Sequence, residues 1–387
     1  MTRIGMGIVG TGFIGPHHID AVRRLGFVDI VALAEMNDTL AKEKAAALGI
    51  PKGYGSYEAL LDDPDVQVVH NATPNYLHYP VNAAAIAKGK HIVSDKPLAL
   101  TAAEAKKLLD QATKAGVCHA VTFSYRGNPL LQQARTMITR GDIGTPRFMH
   151  GYYLQDWLLK DTDYSWRLEP DKGGVSSALG DIGSHWCDTI QHVTGLTITH
   201  VLGDLTTVIP TRKRPTGARE AFQAAGAHDA FELVDITVED LASVLLRFDS
   251  GAKGSFTVGQ VCAGHKNDLV FEVCGSTASL RWAQERQNEL WIGHRDRSNE
   301  VLVKDPSLID GGVRHYARMP GGHQEGWPDS FSNIMRDIYT FIASGKKASE
   351  AHPPAFPTFE DGYRENCIVE AILDSAKQGG VWTQVSY

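Results

Sequence analysis

Four groups of residues in this 387-residue chain have types and spacings that could do chemistry. The first is Gly10-Thr11-Gly12-Phe13-Ile14-Gly15, a GxGxxG run between an apolar stretch and a helical pattern. Glycines at these positions permit a tight turn and close backbone approach, so a pyrophosphate can rest against amides at a helix start. The second is Glu35, at the end of the next apolar run, about where a carboxylate bonds a ribose 2'-hydroxyl and repels a 2'-phosphate. Neither Met36 nor Asn37 supplies a cation for such a phosphate, so the pattern predicts NAD, with NADP disfavoured.

The third group comprises two loops that each follow an apolar run: Asn71-Ala72-Thr73-Pro74-Asn75 with His78 beyond it, and Asp95-Lys96-Pro97. If both runs are strands of one parallel sheet, the loops lie at its carboxyl edge with the glycine turn, which makes Thr73, Pro74, Asn75, His78, Asp95 and Lys96 candidate cofactor contacts. Pro97 fixes the second loop and aims Lys96 at the crevice, where its ammonium could donate to a substrate hydroxyl and stabilise developing oxyanion character. The fourth group is Gly180-Asp181-Ile182-Gly183-Ser184-His185-Trp186-Cys187-Asp188. On a helix, Asp181 and His185 would share one face. A neutral imidazole there could take a hydroxyl proton, and Asp181 could either bind a neighbouring hydroxyl or orient the ring.

Positioning these groups takes two kinds of domain. Up to about residue 124, short apolar runs at 5–10, 29–34, 66–71 and 91–94 alternate with helical patterns at 17–25, 40–48, 56–61, 79–88 and 101–115. That rhythm predicts a doubly wound α/β domain with a parallel sheet over residues 1–124. Thr101 with Glu104 three residues on reads as a capping box for the last helix. Over residues 125–387 the texture changes. Period-two segments at 146–153, 200–208, 241–248, 253–261, 269–274 and 279–282, with helices near 129–140, 182–194, 329–343 and 360–377, predict an α+β domain with a large, mostly antiparallel open sheet. The stretch 211–229 is rich in Arg, Pro, Gly and Ala without a strand period and reads as a surface excursion.

Composition sets the boundaries of function. An apolar fraction of 43% and a charged fraction of 21% suit a folded two-domain enzyme. A formal charge of -7 leaves only short basic clusters such as residues 212–214, so nucleic acid is not an expected partner. No apolar run approaches the roughly 20 residues of a membrane span, and no signal-type segment precedes the first strand. The five scattered cysteines lack any CxxC pair and read as thiols of a reducing cytoplasm, with no metal expected from ligands this widely spaced.

Taken together, GTGFIG, NATPNYLH, SDKPLA and GDIGSHWCD resemble the glucose-fructose oxidoreductase and inositol dehydrogenase family, Gfo/Idh/MocA; GHKND at 264–268 also looks like that family. The resemblance spans nearly the whole chain. It implies a Rossmann domain followed by an α+β domain whose open sheet forms homo-oligomer contacts, as a dimer or tetramer. Lys96 looks like the lysine of the family's E-K-P motif, with Asp95 in place of the glutamate, and Asp181 and His185 look like its catalytic aspartate and histidine. Within the family the chain looks most like bacterial levoglucosan, glucoside or inositol dehydrogenases, through Trp166-Arg167, Gly173-Gly174 and the run 320–327. A polyol needs polar groups at its hydroxyl rim and rings for its C–H faces, which makes Tyr125, Arg126, Asn128, Tyr153, Gln155, Trp157, Trp166, Arg167, His323 and Trp327 pocket candidates. The expectation is an NAD-dependent dehydrogenase that oxidises a secondary hydroxyl of a sugar or polyol bound between the domains. The alternatives are a redox-assisted glycosidase and a cofactor-sensing binding protein without turnover.

Overall fold

The computed structural model describes residues 3–216, 230–348 and 351–387, and the chain forms two compact units. The first takes residues up to Ser124 together with Phe331–Asn366; the second takes Tyr125–Ser330 and Cys367–Tyr387.

In the first unit, β1 (Ile4–Val9) is followed by α1 (Gly15–Arg23), β2 (Val28–Ala34), α2 (Asp38–Leu48), β3 (Lys52–Tyr54), α3 (Tyr57–Leu61), β4 (Val68–Asn71), α4 (His78–Ala87), β5 (His91–Ser94), α5 (Ala102–Ala115) and β6 (His119–Val121). The six strands are parallel in the order β3-β2-β1-β4-β5-β6. Strands buried on both faces explain the unbroken apolar runs: every residue of β1 and β4 is buried. Thr101 caps α5, its hydroxyl accepting from Glu104 N at 3.2 Å, as the sequence suggested. The three-residue β3 carries no period of its own and escapes a pattern-based reading.

In the second unit, α6 (Pro129–Arg140) leads to β7 (Phe148–Leu154), a one-turn α7 (Pro170–Gly173), α8 (Ser184–Thr194), β8 (Ile198–Thr206), β9 (Thr211–Pro215), β10 (Phe231–Asp235), β11 (Leu241–Phe248), β12 (Lys253–Gly259), β13 (Asp268–Cys274), β14 (Ala278–Ala283), β15 (Glu289–His294) and β16 (Glu300–Val303). Two long helices, α9 (Trp327–Ala343) and α10 (Phe359–Lys377), and the short β17 (Thr383–Gln384) complete the chain. Nine strands form one sheet in the order β16-β15-β14-β13-β7-β12-β11-β8-β17, in which β7 and β12 are the one parallel pair. The large, mostly antiparallel sheet read from the period-two segments is therefore present. Helix α8 covers one face of it. Trp186 stacks on Phe256 at 4.6 Å and donates its Nε1 hydrogen to the Val270 carbonyl.

Two organisational expectations need correction. A boundary after residue 124 leaves Phe331–Asn366 with the second domain, whereas these residues cluster with the first unit: Phe359 sits in its core, Phe331 packs edge-on against His18, and the Tyr339 hydroxyl lies 2.9 Å from His70 Nε2. A helix pattern reports an apolar face and not which sheet that face meets. The surface excursion over 211–229 also reads differently, because Thr211–Pro215 is a strand paired with Phe231–Asp235, while 217–229 lie outside the described residues. Within that strand Arg212 has no exposed surface. It donates to the carbonyls of Leu158, Lys160 and Asp163 and pairs with Asp240 at 3.2 Å. Satisfying a buried guanidinium this way pins the chain from 158 to 163, which leads into the Trp166-Arg167 segment.

Candidate active site

In the first unit every candidate cofactor loop follows the carboxyl end of a parallel strand: the glycine turn after β1, Glu35 after β2, Thr73 after β4 and Asp95-Lys96 after β5. Gly10 has φ of +85°, and a Cβ there would come within 2.9 Å of the Ala72 carbonyl, so the turn requires glycine. A Cβ on Gly15 would lie 2.5 Å from the Gly10 carbonyl, which closes helix against strand. Gly12 is exposed and a Cβ on it would meet nothing within 4 Å, leaving open space over the turn. These features fit a pyrophosphate cradled by the start of α1. Phe13 is exposed and Ile14 half-buried at the N-cap of that helix.

Glu35 is half-buried, and its Oε1 accepts both the amide of Thr11 at 2.8 Å and the Thr11 hydroxyl at 2.5 Å. That clasp fixes the carboxylate beside the glycine turn. The exposed Met36 brings no positive charge, and Asn37 is spent capping α2 through Leu40 N. In the next loop Asn71 organises the turn, donating to Asn82 Oδ1 and the His78 carbonyl while accepting from the Thr73 hydroxyl at 2.7 Å. Thr73, Pro74 and Asn75 are half-buried. His78 was expected at the cofactor; it is instead fully buried, with Nδ1 2.5 Å from the Pro97 carbonyl and Nε2 2.9 Å from the Thr73 carbonyl, a clamp between two loops.

Asp95 and Lys96 are half-buried, and the Lys96–Pro97 peptide is cis. Burial pushes the Asp95 carboxyl up, but the Lys96 charge and the hydrogen bond from the Thr122 hydroxyl outweigh it, so the group lies below the usual carboxylate range. Asp95 thus stays ionised beside the ammonium. Its reach ends at Thr122.

In the second unit Asp181 does not sit on a regular helix start. Leu179–Gly183 form a π-helical turn that runs directly into α8. Asp181 lies within that turn and His185, four residues on, in the first turn of α8. The carboxylate is held by Gln260, whose Nε2 donates to Oδ2 at 2.9 Å, and by Arg167, whose Nε lies 3.4 Å from Oδ1. His185 is 8% exposed and packs edge-on against the Tyr125 ring at 5.1 Å. The Tyr125 and Tyr153 hydroxyls lie 2.6 Å apart; Tyr153 and Gln155 both donate to Asn267 Oδ1, and Trp157 donates to Gln155 Oε1. Burial pushes the Tyr125 hydroxyl up to about 12 and raises Tyr153 well above its ordinary value, so both remain neutral hydrogen-bonding groups. The result is a cluster of carboxylate, imidazole, phenols and amides suited to hydroxyl groups.

Other expected pocket residues have different work. Arg126 makes a two-pronged ion pair with the buried Asp188 on α8. Asn128 is 2% exposed, caps α6 through Leu130 N and Leu131 N, and donates to Gln287. Both are scaffold. Arg167 stacks its guanidinium 4.6 Å over the Trp166 ring, which orients it toward Asp181. His323 is exposed on a loop whose carbonyls at 319, 320 and 323 receive the buried Lys304 ammonium, itself paired with Glu325 at 2.8 Å. Gln260 and Glu239 went unnoticed in the sequence. Each is a polar residue near the end of a strand segment, with no motif to mark it, and Glu239 becomes meaningful only when Ser176, Ser177 N and Leu179 N all converge on its Oε1.

A six-stranded parallel sheet in this order, with a glycine turn and an acidic second strand end, joined to an α+β unit carrying an Asp/His pair, defines a Rossmann-type oxidoreductase architecture. Residues 4–123 match the family model described as an oxidoreductase family with NAD-binding Rossmann fold, and residues 131–281 match the GFO/IDH/MocA C-terminal domain. The levoglucosan dehydrogenase of Pseudarthrobacter phenanthrenivorans is 32% identical over 100% of this chain and 99% of its own. A solved levoglucosan dehydrogenase in complex with NADH and L-sorbose superposes with a TM-score of 0.88 at 30% identity, all of both chains covered. An inositol dehydrogenase homologue with NAD+ from Azotobacter vinelandii gives 0.84 at 26% identity, covering 99% of this chain and 97% of the other. The chain belongs to the Gfo/Idh/MocA oxidoreductase family.

Proposed function

We propose that this protein is an NAD-dependent dehydrogenase that oxidises a secondary hydroxyl of a sugar, anhydrosugar, glycoside or inositol to a ketone. The observation that carries the proposal is the Asp181 carboxylate anchored on the π-turn by Gln260, four residues before His185 on α8, in a chain similar over its full length to a levoglucosan dehydrogenase. In this reading Gly10, Gly12, Phe13, Ile14 and Gly15 hold the pyrophosphate, Glu35 the adenosine ribose, and Thr73, Pro74, Asn75 and Asp95 line the nicotinamide side. Bound NAD supplies the acceptor for the hydride. His185 removes the hydroxyl proton, Lys96 donates to the same oxygen as negative charge develops on it, and Asp181 binds the adjacent hydroxyl. Tyr153, Gln155, Trp166 and Arg167 shape the rim. Residues 1–124 with 331–366 serve the cofactor, and the remainder serves the sugar and self-association. We place the enzyme in the cytoplasm on the reading that its five cysteines are thiols. Among the described residues no helix is long and apolar enough to cross a membrane.

The test is a screen of polyols, anhydrosugars and glycosides with NAD and with NADP, recording reduced nucleotide. Accumulation of NADH with at least one sugar supports the proposal; glycoside cleavage without net reduced nucleotide, or no turnover across all classes, overturns it.

A further inference from the structure

Cysteines spaced this widely along the chain suggest no metal, but the nine-stranded sheet brings distant ligands together. His150 on β7 is the register partner of Glu272 on the antiparallel β13, and Cys274 lies two residues further along the same face. His150 Nε2 is 3.8 Å from Glu272 Oε2 and Cys274 Sγ is 3.6 Å from Glu272 Oε1, with one donor atom from each residue within 4.8 Å of the other two. Zinc–ligand bonds of about 2.0–2.3 Å in a tetrahedron place neighbouring donors roughly 3.3–3.7 Å apart. We propose that His150, Glu272 and Cys274 form a site for a borderline divalent cation of the zinc class, with three protein donors and a fourth position open to water.

The surroundings favour ligation. Trp186 stacks on Phe256, the strand partner of Gly151, so alternation turns His150 to the opposite face of the sheet, away from α8 and from His185. Phe148 stacks on the His150 ring at 5.2 Å and restricts its orientation. His150 also borders a concavity of about 340 Å³ lined by Tyr152, Asp204, Ser255 and Thr257, room enough for a fourth ligand. Burial and the Glu272 charge hold the metal-free thiol above its ordinary range, so binding proceeds with release of the Cys274 proton to solvent as the sulfur–metal bond forms. It is the one such trio among the described residues.

Tag-free full-length protein, stripped with chelator and dialysed, is titrated with Co²⁺. One equivalent per chain should bind with a thiolate-to-cobalt charge-transfer band that Zn²⁺ then removes. Cys274→Ser should abolish the band, and His150→Ala should weaken Co²⁺ binding by at least ~10-fold. The isosteric Glu272→Gln separates ligation from folding: affinity falls while the circular dichroism spectrum stays wild-type. A wild-type protein without the band, or a band that survives in Cys274→Ser, overturns the proposal.

Discussion

At Glu35 one carboxylate oxygen receives both hydrogen bonds from Thr11, so a single side chain fixes the glycine turn and keeps its second oxygen outside that clasp. A charged acceptor lost to a ribose hydroxyl is worth about 1.5–3 kcal/mol, roughly 10- to 100-fold in affinity. Glu35→Ala should therefore lower kcat/KM for NAD by that factor while leaving kcat/KM for NADP level or improved, measured by initial rates with both nucleotides; an unchanged NAD:NADP ratio would refute the role. Lys96 and His185 carry a sharper expectation. His185→Ala and Lys96→Ala should each reduce kcat by about 10² or more, and wild-type turnover in either variant would remove that residue from the mechanism.

The π-turn is the element on which the Asp181–His185 pair depends, and Glu239 holds it. Its Oε1 accepts from Ser177 N, Leu179 N and the Ser176 hydroxyl, groups that a helix start otherwise leaves unpaired. Burial pushes the Glu239 carboxyl up, partly countered by those bonds. Glu239→Ala should cost about 1–3 kcal/mol of stability and raise KM for the sugar, whereas Glu239→Gln, which keeps an acceptor, should recover most of both, followed by thermal unfolding and steady-state kinetics. A second polar device ties α1, β4 and α9 together: His18 Nδ1 lies 2.9 Å from His70 Nδ1, and His70 Nε2 meets the Tyr339 hydroxyl. One ring donates and the other accepts, so the accepting ring must be neutral, and burial opposes a charge on either. Burial lowers His18 to about 4, and burial together with the His18 charge lowers His70 well below its ordinary value. The folded chain resists a proton that the unfolded chain takes up near 6.5, so stability is full above that pH and falls as pH drops toward 4, by on the order of 3 kcal/mol for His18 alone. His18→Asn should flatten part of the decline in Tm over that window, and an identical slope in the variant would dissociate the ring pair from it. Elements of this kind divide what the sequence made legible from what it did not. The glycine turn and the strand-helix alternation were readable because each is a local pattern. The π-turn, Gln260, Glu239 and the burial of Arg212 were not, because their partners lie 28 to 79 residues away and hydrophobic periodicity is silent about long-range hydrogen bonds. Arg126 and Asn128 looked like pocket residues for the same reason: only the partners Asp188 and Gln287 show that they are committed elsewhere.

Over the whole molecule, the dinucleotide unit is built from two separated stretches of chain. Phe331, Tyr339 and Phe359 supply contacts that residues up to Ser124 lack alone. A protein ending at Ser330 should fail to bind NAD and lose cooperative unfolding of this unit, read by fluorescence titration and calorimetry; full-strength NAD binding by that fragment would show the returning helices to be dispensable. The same arrangement has a consequence for biosynthesis. At ~5–20 residues per second, the ribosome must add the stretch 125–330 before Phe331 is made, a delay of roughly 10–40 s during which the first unit lacks the contacts of Phe331–Asn366. In the cell, the dinucleotide unit is therefore completed late in translation, after eight of the nine strands of the second unit's sheet have been synthesised.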